Sequence, residues 1–146
     1  MSTAIHRRVA ACRAGADPTM IARLATGWAV MGDPQVVTGY CLLLPDPVVP
    51  HLNALSPAAQ AAFLADMARL GQAVLDLTGA IRINYALFGN VEPALHAHVF
   101  PRFATEPDDL WTANPWGYDW SQARPFDAVA DGALLGSLRK TLTSVE

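Results

Sequence analysis

The strongest periodicity in the chain lies near its middle, where apolar side chains recur three or four residues apart. They are Phe63, Met67, Leu70, Val74 and Leu77. This spacing places them on one face of a helix. Ser56-Pro57 precedes the pattern as an N-cap and first helical residue, and Gly79 follows it as a stop signal. The pattern predicts a long helix between these two signals.

Strand patterns lie on both sides of this helix. Upstream, two apolar runs over residues 28–31 and 36–44 are joined by Gly32-Asp33-Pro34, which predicts a hairpin. Downstream, residues 81–88 alternate apolar and mixed positions, which predicts a strand with one face in the core. Residues 94–100 predict another strand that ends at a proline.

The ends of the chain carry weaker signals. Residues 3–26 contain short helical stretches, and Asp17-Pro18 predicts the N-cap and first residue of a short helix over residues 18–25. After an aromatic-rich loop over residues 104–124, a last helix is predicted over residues 127–143. Its apolar positions are Val129, Leu135, Leu138 and Leu142. The elements together predict an α+β fold with a mainly antiparallel sheet of four or more strands, one long helix beside it and a C-terminal helix.

Length and composition favour one folded domain over residues 1–146. With 52% hydrophobic and 16% charged residues, the chain is typical of a globular protein with apolar surface to spare for a subunit interface. Cys12 and Cys41 fit no disulfide or zinc framework, so we expect them to be reduced and packed. The longest apolar run, residues 40–45, is too short to cross a bilayer, and no signal peptide is evident. We therefore expect a cytoplasmic protein without a membrane partner.

The net charge of -3 argues against a nucleic-acid partner, because the chain has no general cationic field. A phosphate ligand would have to be bound locally. The candidate residues for such binding are two histidines in the segment LHAHVF, His96 and His98. On a strand they share one face, about 7 Å apart, and the residues between and beside them point to the other face.

Three interpretations of this pair remain open. The histidines could have no chemical role. They could bind a metal ion, although His51, Asp46 or Glu92 would have to be recruited and nothing in their spacing demands it. One of them could also be a nucleophile. A neutral imidazole has a lone pair that can attack phosphorus, while its neighbour donates hydrogen bonds to the phosphate oxygens.

The surrounding residues resemble the histidine triad family of nucleotide hydrolases and transferases. That family carries three histidines alternating with apolar residues, after a Gly-Gln or Gly-Asn turn and often before Pro-Arg. Here Gly89-Asn90, LHAHVF and Pro101-Arg102 match in order and spacing. The similarity extends upstream through VVTGYCLLLP and HLNAL, so the matching core covers about residues 27–103. The segments 1–26 and 104–146 match only loosely.

The resemblance implies a role for each matching residue. His96 would attack the α-phosphate to form a nucleotidyl-histidine intermediate, and His98 would contact the phosphate. Asn90 would reach the phosphate region or serve only as a turn residue, and Arg102 would support phosphate or pair with an acidic neighbour. The implied substrates are dinucleoside polyphosphates, such as diadenosine polyphosphates, or nucleoside phosphoramidates. The resemblance also implies a homodimer and no required metal or other cofactor.

Three departures from the family pattern bear on activity. Ala94 replaces the first histidine, Val91 stands where the family has a serine or threonine, and Tyr40 follows Gly39 where many members have a histidine. Two alternatives therefore stay open beside the hydrolase or transferase. One is a nucleotide-binding protein with little catalysis, and the other is a metal-dependent enzyme that uses the two remaining histidines.

Two further features have competing interpretations. The segment WTANPWGYDW holds four large aromatic side chains that could stack on a nucleotide base or pack against the domain or a second subunit. They are Trp111, Trp116, Tyr118 and Trp120. His51 lies in a predicted helical turn, where packing or capping competes with a catalytic role.

Overall fold

The computed structural model describes residues 2–144 and has the predicted α+β architecture. The strands are β1 Met20–Arg23, β2 Gly27–Met31, β3 Cys41–Pro45, β4 Arg82–Ala86 and β5 Ala97–Arg102. The helices are α1 Ala4–Arg13, α2 Pro57–Thr78, the single-turn α3 Asp108–Trp111 and α4 Gly132–Thr143. The five strands form one sheet in the order β1-β2-β3-β5-β4, and each neighbouring pair is antiparallel. The predicted long helix and C-terminal helix are both present.

Helix α2 begins and ends at the predicted signals. Ser56 Oγ accepts a hydrogen bond of 3.2 Å from the backbone N–H of Ala59, and Pro57 is the first helical residue. Gly79 ends the helix with a φ of +74°, a conformation that glycine adopts at little cost. The apolar side chains that α2 buries against the sheet and α4 include Phe63, Leu70, Ala73 and Val74.

Strand β1 replaces the short helix predicted over residues 18–25, so that prediction is wrong. The carboxylate of Asp17 does not cap a helix. It accepts hydrogen bonds from the N–H and the hydroxyl of Thr19, at 2.9 and 2.7 Å, and closes a tight turn. The chain then pairs with β2, and Ile21 and Ala22 are buried in the core. Pairing between strands outweighs the local helix signal here.

The predicted hairpin is formed by β2 and β3, but its second strand begins at Cys41 rather than at residue 36. The buried side chain of Gln35 accounts for the difference. Its amide donates hydrogen bonds of 2.8 Å to the carbonyl oxygens of Gly32 and Tyr40, and its oxygen accepts one of 2.9 Å from the N–H of Gly39. These bonds hold residues 32–40 in a closed loop.

Strand β4 is an edge strand, and the prediction that one of its faces lies in the core is confirmed only in part: Ile83 and Leu87 pack against the core cluster, while the other apolar side chains of that face are more exposed. Ile81, just before it, is 47% exposed and Tyr85 is 40% exposed. The alternation of residues 81–88 is real, but it does not reveal how much of that face α2 covers. A sheet edge leaves part of its apolar face open.

Helix α4 begins five residues later than predicted. The side chain of Asp127 accepts hydrogen bonds from the N–H groups of Val129 and Ala130, at 2.7 and 2.9 Å, and holds these residues in a turn. Val129 is 90% exposed, so its predicted place on the apolar face of the helix is wrong. The other three apolar positions, Leu135, Leu138 and Leu142, are buried as predicted.

The sheet separates two apolar clusters. Helices α2 and α4 cover one face, and α1 covers part of the other. Cys41 lies in the first cluster and Cys12 in the second, and both are free and buried as expected. No helix within residues 2–144 is both long enough and apolar enough to cross a membrane.

Candidate active site

The two histidines project from the same face of the sheet, at the start of β5. The ring centroids of His96 and His98 are 4.8 Å apart, and the planes of the rings make an angle of 70°. The alternating residues Leu95, Ala97 and Val99 belong to the cluster under α2 and α4. The predicted alternation therefore holds, and the imidazoles form one chemical surface on the opposite face.

The imidazole of His96 is held in one tautomer by the backbone. Its Nδ1 lies 2.7 Å from the carbonyl oxygen of Ala94. Because a carbonyl oxygen can only accept, Nδ1 carries a proton, and in the neutral ring the lone pair is on Nε2. His96 as a whole is only 7% exposed. Within residues 2–144, every side-chain nitrogen or oxygen that is fully enclosed has a hydrogen-bonding partner. Because His96 Nε2 has no partner among those residues, it is not fully enclosed and lies at the accessible surface.

Ala94 occupies an enclosed position rather than an open gap. It is 0% exposed and packs in the cluster that contains Ile5 and Val9 of α1. Glu92, two residues earlier, accepts a hydrogen bond of 3.0 Å from the N–H of Ala4 at the start of α1. The place to which the resemblance assigns the first histidine is therefore buried in the cluster to which α1 contributes. A larger side chain at this position would have to displace part of that cluster.

The imidazole of His98 is half-buried and neutral. Its Nδ1 lies 2.7 Å from the hydroxyl oxygen of Tyr40. Burial, with a smaller contribution from the neighbouring His96, lowers the pKa of His98 to about 4. At pH 7 His98 is therefore an uncharged hydrogen-bonding group.

Aromatic side chains surround the histidine pair. The ring of Tyr40 stacks on Phe100 at 4.3 Å, and the edge of Trp116 meets the ring of His98 at 5.1 Å. Trp116 also stacks on Trp120 at 5.8 Å. The aromatic segment of the sequence therefore folds back onto the site, so packing against its own domain is observed for these two tryptophans. Trp116 remains 40% exposed and keeps surface for a ligand.

Comparison with known proteins identifies the fold. No protein-family model and no curated protein sequence matches the chain. Among solved structures, a histidine triad protein from Marinobacter aquaeolei VT8 superposes with a TM-score of 0.75, at 19% identity over 97% of both chains. One from Bradyrhizobium japonicum gives 0.74 at 23% identity, over 84% of this chain and 89% of that one. The chain has the histidine triad fold.

A third structure with this fold is described as a hypothetical histidine triad nucleotide-binding protein, from Sulfolobus tokodaii strain7. It superposes with a TM-score of 0.71 at 14% identity, over 92% of this chain and 89% of that one. At these identities the similarity shows a shared fold. The chemistry of this chain has to be argued from its own residues.

Asn90 lies in the turn before the histidines and is exposed. Gly89 precedes it with a φ of +65°, which gives the turn its left-handed residue. The Asn90 side chain makes no hydrogen bond to the residues that the structure describes. Its amide is therefore available to a ligand, and both roles expected from the sequence remain compatible with its position.

Arg102 pairs with an acidic neighbour, which is one of the two roles expected for it. Its side chain is 6% exposed and forms an ion pair of 3.0 Å with Glu106. The other acceptors of its guanidinium are Asn84 Oδ1 and the carbonyl oxygens of Leu110 and Ala113. All five N–H groups have protein acceptors, so Arg102 anchors the loop after β5 and has no donor left for phosphate.

The side chains that a metal site would have to recruit are engaged elsewhere or lie apart. Asp46 binds Arg13, Arg23 and Trp28, and the hydrogen bond from Arg13 lowers its pKa to about 2. His51 is exposed and occupies an N-cap position without a capping bond from its side chain. Over residues 2–144, no three His, Cys, Asp or Glu side chains are grouped so that they could hold a metal ion.

The stability of the histidine triad fold in this chain is expected to fall in mild acid through His98. The pKa of His98 is about 4 in the folded protein but near 6.5 in the unfolded chain. The unfolded state therefore takes up the proton first. The His98 contribution to stability is fully present above pH 6.5 and is lost as the pH falls towards 4.

Because the ring is only half-buried, we expect this loss to be on the order of 2 kcal/mol. The measurement is urea unfolding of the wild type and of His98→Asn at neutral pH and near pH 4.5. Subtracting the two pH dependences removes the contribution of the carboxylates, and His51→Asn serves as a control at an exposed histidine. Equal pH dependences for the wild type and His98→Asn would contradict the expectation.

The hydrogen bond between Tyr40 and His98 is the contact of the site that the sequence did not predict. Tyr40 appears in the sequence only as a departure from the family pattern. The sequence does place Tyr40 two positions before Leu42, so in an extended chain both side chains belong to the same face. It does not show that Leu42 pairs with His98 across β3 and β5, and this pairing brings Tyr40 to the histidine.

Proposed function

We propose that the chain is a nucleotide hydrolase or nucleotidyl transferase in which His96 is the nucleophile. The observation that carries the proposal is the hydrogen bond from His96 Nδ1 to the Ala94 carbonyl oxygen, 2.7 Å long, because it directs the lone pair to an accessible Nε2. The uncharged His98 beside it supports the same role. An uncharged His98 does not repel the positive charge that forms on the His96 ring, and with its low pKa it does not take the proton from His96 Nδ1.

The reaction would proceed in two displacements at the α-phosphorus. His96 Nε2 first forms a P–N bond while the bond from phosphorus to the leaving group breaks. The leaving group departs with the bonding electron pair and, where it is an amine, takes a proton from the solvent. The positive charge that develops on the ring is stabilised by the Nδ1–H bond to the Ala94 carbonyl oxygen. Water then attacks the same phosphorus, the P–N bond breaks, a proton passes to the solvent and a nucleoside monophosphate is released. In a transferase, another acceptor takes the place of water.

The phosphate would be held by His98 and by the amide of Asn90. Arg102 is excluded from this set, since its donors are all bonded within the protein. The bonds that such a site would cleave are phosphoanhydrides of dinucleoside polyphosphates or phosphoramidates of nucleosides. No step requires a metal ion.

The aromatic side chains beside the histidines would hold a nucleobase. A cleft of about 360 Å³ is lined by Phe88, Phe100 and Trp116, with Asn84 and Asn114 at its polar positions. Phe88 is 64% exposed and meets Trp116 edge-on at 5.1 Å. Exposed aromatic faces of this kind stack on bases with little regard to their identity.

A nucleotide-binding protein with little catalysis is the competing function. The enclosed position of Ala94 favours it, because the site has two imidazoles where the family pattern has three. Val91 also favours the binding protein, since this 93% exposed side chain has no hydroxyl that could assist a leaving group.

Turnover separates the two functions. Purified protein is mixed with diadenosine tetraphosphate or adenosine phosphoramidate in the presence of a chelator, and the release of AMP is followed. Release in the chelator supports the metal-independent enzyme. A nucleotide-induced rise in melting temperature without release supports the binding protein instead. Release only after metal is added back would favour the metal-dependent alternative.

We also propose that the protein acts in the cytoplasm, a reducing compartment that suits its two free cysteines.

We further propose that two copies of the chain pair along the edge strand β4. The outer edge of β4 has no partner strand within residues 2–144. The apolar side chains exposed along it and at the end of α2 are Leu77, Ile81, Tyr85 and Phe88. A second copy offers the same edge about a two-fold axis and would cover these side chains.

The double variant Ile81→Lys/Tyr85→Lys is expected to be monomeric where the wild type is a dimer, because the charges would be buried against each other across the axis. Light scattering over a dilution series measures the mass. Val129→Lys is the matched control, since Val129 is 90% exposed and distant in sequence from β4. A wild type that is monomeric at every concentration would refute the pairing.

A further inference from the structure

The loop before β3 is built around the side chain of Tyr40. Gln35, which is 3% exposed, bonds to Gly32, Gly39 and Tyr40 and so closes the loop on itself. A Cβ atom at Gly32 would lie 2.1 Å from the tyrosine ring, so the ring occupies the space that a side chain there would need. Gly39 has a φ of +96°, which favours glycine. The loop therefore fixes where Tyr40 lies.

The ring of Tyr40 is locked on the site side as well. It is 3% exposed and lies nearly parallel to Phe100, with 6° between the two planes. Trp120 meets it edge-on at 5.8 Å. Its hydroxyl is thereby held 2.7 Å from His98 Nδ1. Burial raises the pKa of the Tyr40 phenol above its usual range, so the hydroxyl keeps its proton.

The direction of this hydrogen bond follows from counting partners. Among the described residues, His98 Nδ1 is the hydroxyl's one hydrogen-bonding partner, and the hydroxyl is likewise the one partner of Nδ1. If Nδ1–H donated to the oxygen, the buried hydroxyl proton would have no acceptor, which costs about 1 to 3 kcal/mol. The hydroxyl therefore donates, Nδ1 accepts, and the proton of the neutral His98 ring is on Nε2.

We propose that Tyr40 is a positioning residue that holds His98 with a protonated Nε2 facing the site. The two imidazoles then have opposite tautomers. His96 presents a lone pair on Nε2, and His98 presents an N–H donor on Nε2. One ring can attack phosphorus while the other donates to an oxygen on which charge develops. The use of this donor in catalysis rests on the proposed function, whereas the tautomer is a property of the resting protein.

The tautomers are measured directly by long-range proton–nitrogen correlation on nitrogen-15-labelled protein at neutral pH. The signals are assigned with His96→Gln and His98→Gln. We expect Nδ1 of His96 and Nε2 of His98 to be the protonated nitrogens. A protonated Nδ1 on His98 would overturn the inference, whether or not the protein turns over a nucleotide.

The variant Tyr40→Phe tests the catalytic consequence, because it removes one hydroxyl and keeps the stacked ring. We expect its Nδ1 signal on His98 to move to that of an unbonded nitrogen, and kcat to fall about ten-fold while KM changes little. Tyr118→Phe is the matched control, since that hydroxyl donates to Glu106 and not to a histidine. An unchanged kcat in Tyr40→Phe would overturn the positioning role. An inactive wild type with the expected tautomers would instead refute the proposed function and leave the tautomer assignment standing.

Discussion

Replacing His96 by alanine is expected to lower the release of nucleoside monophosphate by at least about a thousand-fold, because it removes the atom that forms the covalent bond to phosphorus. The fold should survive. Within residues 2–144 the His96 side chain makes one hydrogen bond, to the carbonyl oxygen of Ala94 two residues away. Because His96 is only 7% exposed, its truncation leaves a cavity and should lower the melting temperature. Activity is therefore compared well below the melting temperature of the variant, where a loss can be attributed to chemistry.

The measurement is kcat/KM for the wild type and for His96→Ala with the same substrate in a chelator. His51→Ala is the matched control, because His51 is exposed and makes no side-chain capping bond. The control should keep wild-type activity. A His96→Ala protein within about ten-fold of the wild type would show that another group is the nucleophile. If both proteins bind nucleotide and neither releases monophosphate, the chain is a binding protein.

Replacing Arg102 by methionine is expected to destabilise the protein by about 3 to 5 kcal/mol, because it leaves Glu106 charged and without its cation. Both side chains of this pair are only 6% exposed. The carboxylate would keep its bonds from the N–H of Phe103 and the hydroxyl of Tyr118, but these do not neutralise its charge. The loop that Arg102 ties to β5 would lose its anchor.

Urea unfolding gives the change in free energy, and Arg7→Met is the control. Arg7 is exposed on α1, away from β4, and its side chain makes no hydrogen bond to the residues that the structure describes. We expect this control to stay within about 0.5 kcal/mol of the wild type. Changing Glu106 to leucine in the Arg102→Met background should restore part of the stability, since no unpaired charge remains. A stable Arg102→Met protein that has lost nucleotide binding would instead show that Arg102 contacts phosphate.

Local signals in the sequence predict much of the fold. Ser56, Pro57 and Gly79 define the ends of α2 because capping and left-handed turns depend on adjacent residues. The alternation around His96 and His98 predicts their shared face for the same reason. The short helix predicted over residues 18–25 fails because β1 gains its hydrogen bonds from β2, which local periodicity does not describe.

The candidate site depends more on contacts between distant segments. Arg102 could have served phosphate or an acidic neighbour, and only the loop that brings Glu106, Leu110 and Ala113 to it decides between them. Tyr40 and His98 are 58 residues apart in the chain and meet through the pairing of β3 with β5. Ala94 is a departure in the sequence, and its burial in the cluster that contains Ile5 and Val9 of α1 appears only in the packed structure.

The most direct test of the central proposal is to trap the covalent intermediate. The protein is mixed with substrate, quenched within its first turnovers by denaturant at alkaline pH, where a phosphoramidate survives, and digested with trypsin. Cleavage after Arg82 and Arg102 releases one peptide that contains His96 and His98 and no other histidine. We predict that this peptide gains the mass of one nucleotidyl group and that fragmentation assigns it to His96. A protein that releases monophosphate while this peptide stays unmodified at every quench time, or carries the group on His98, would contradict the proposal.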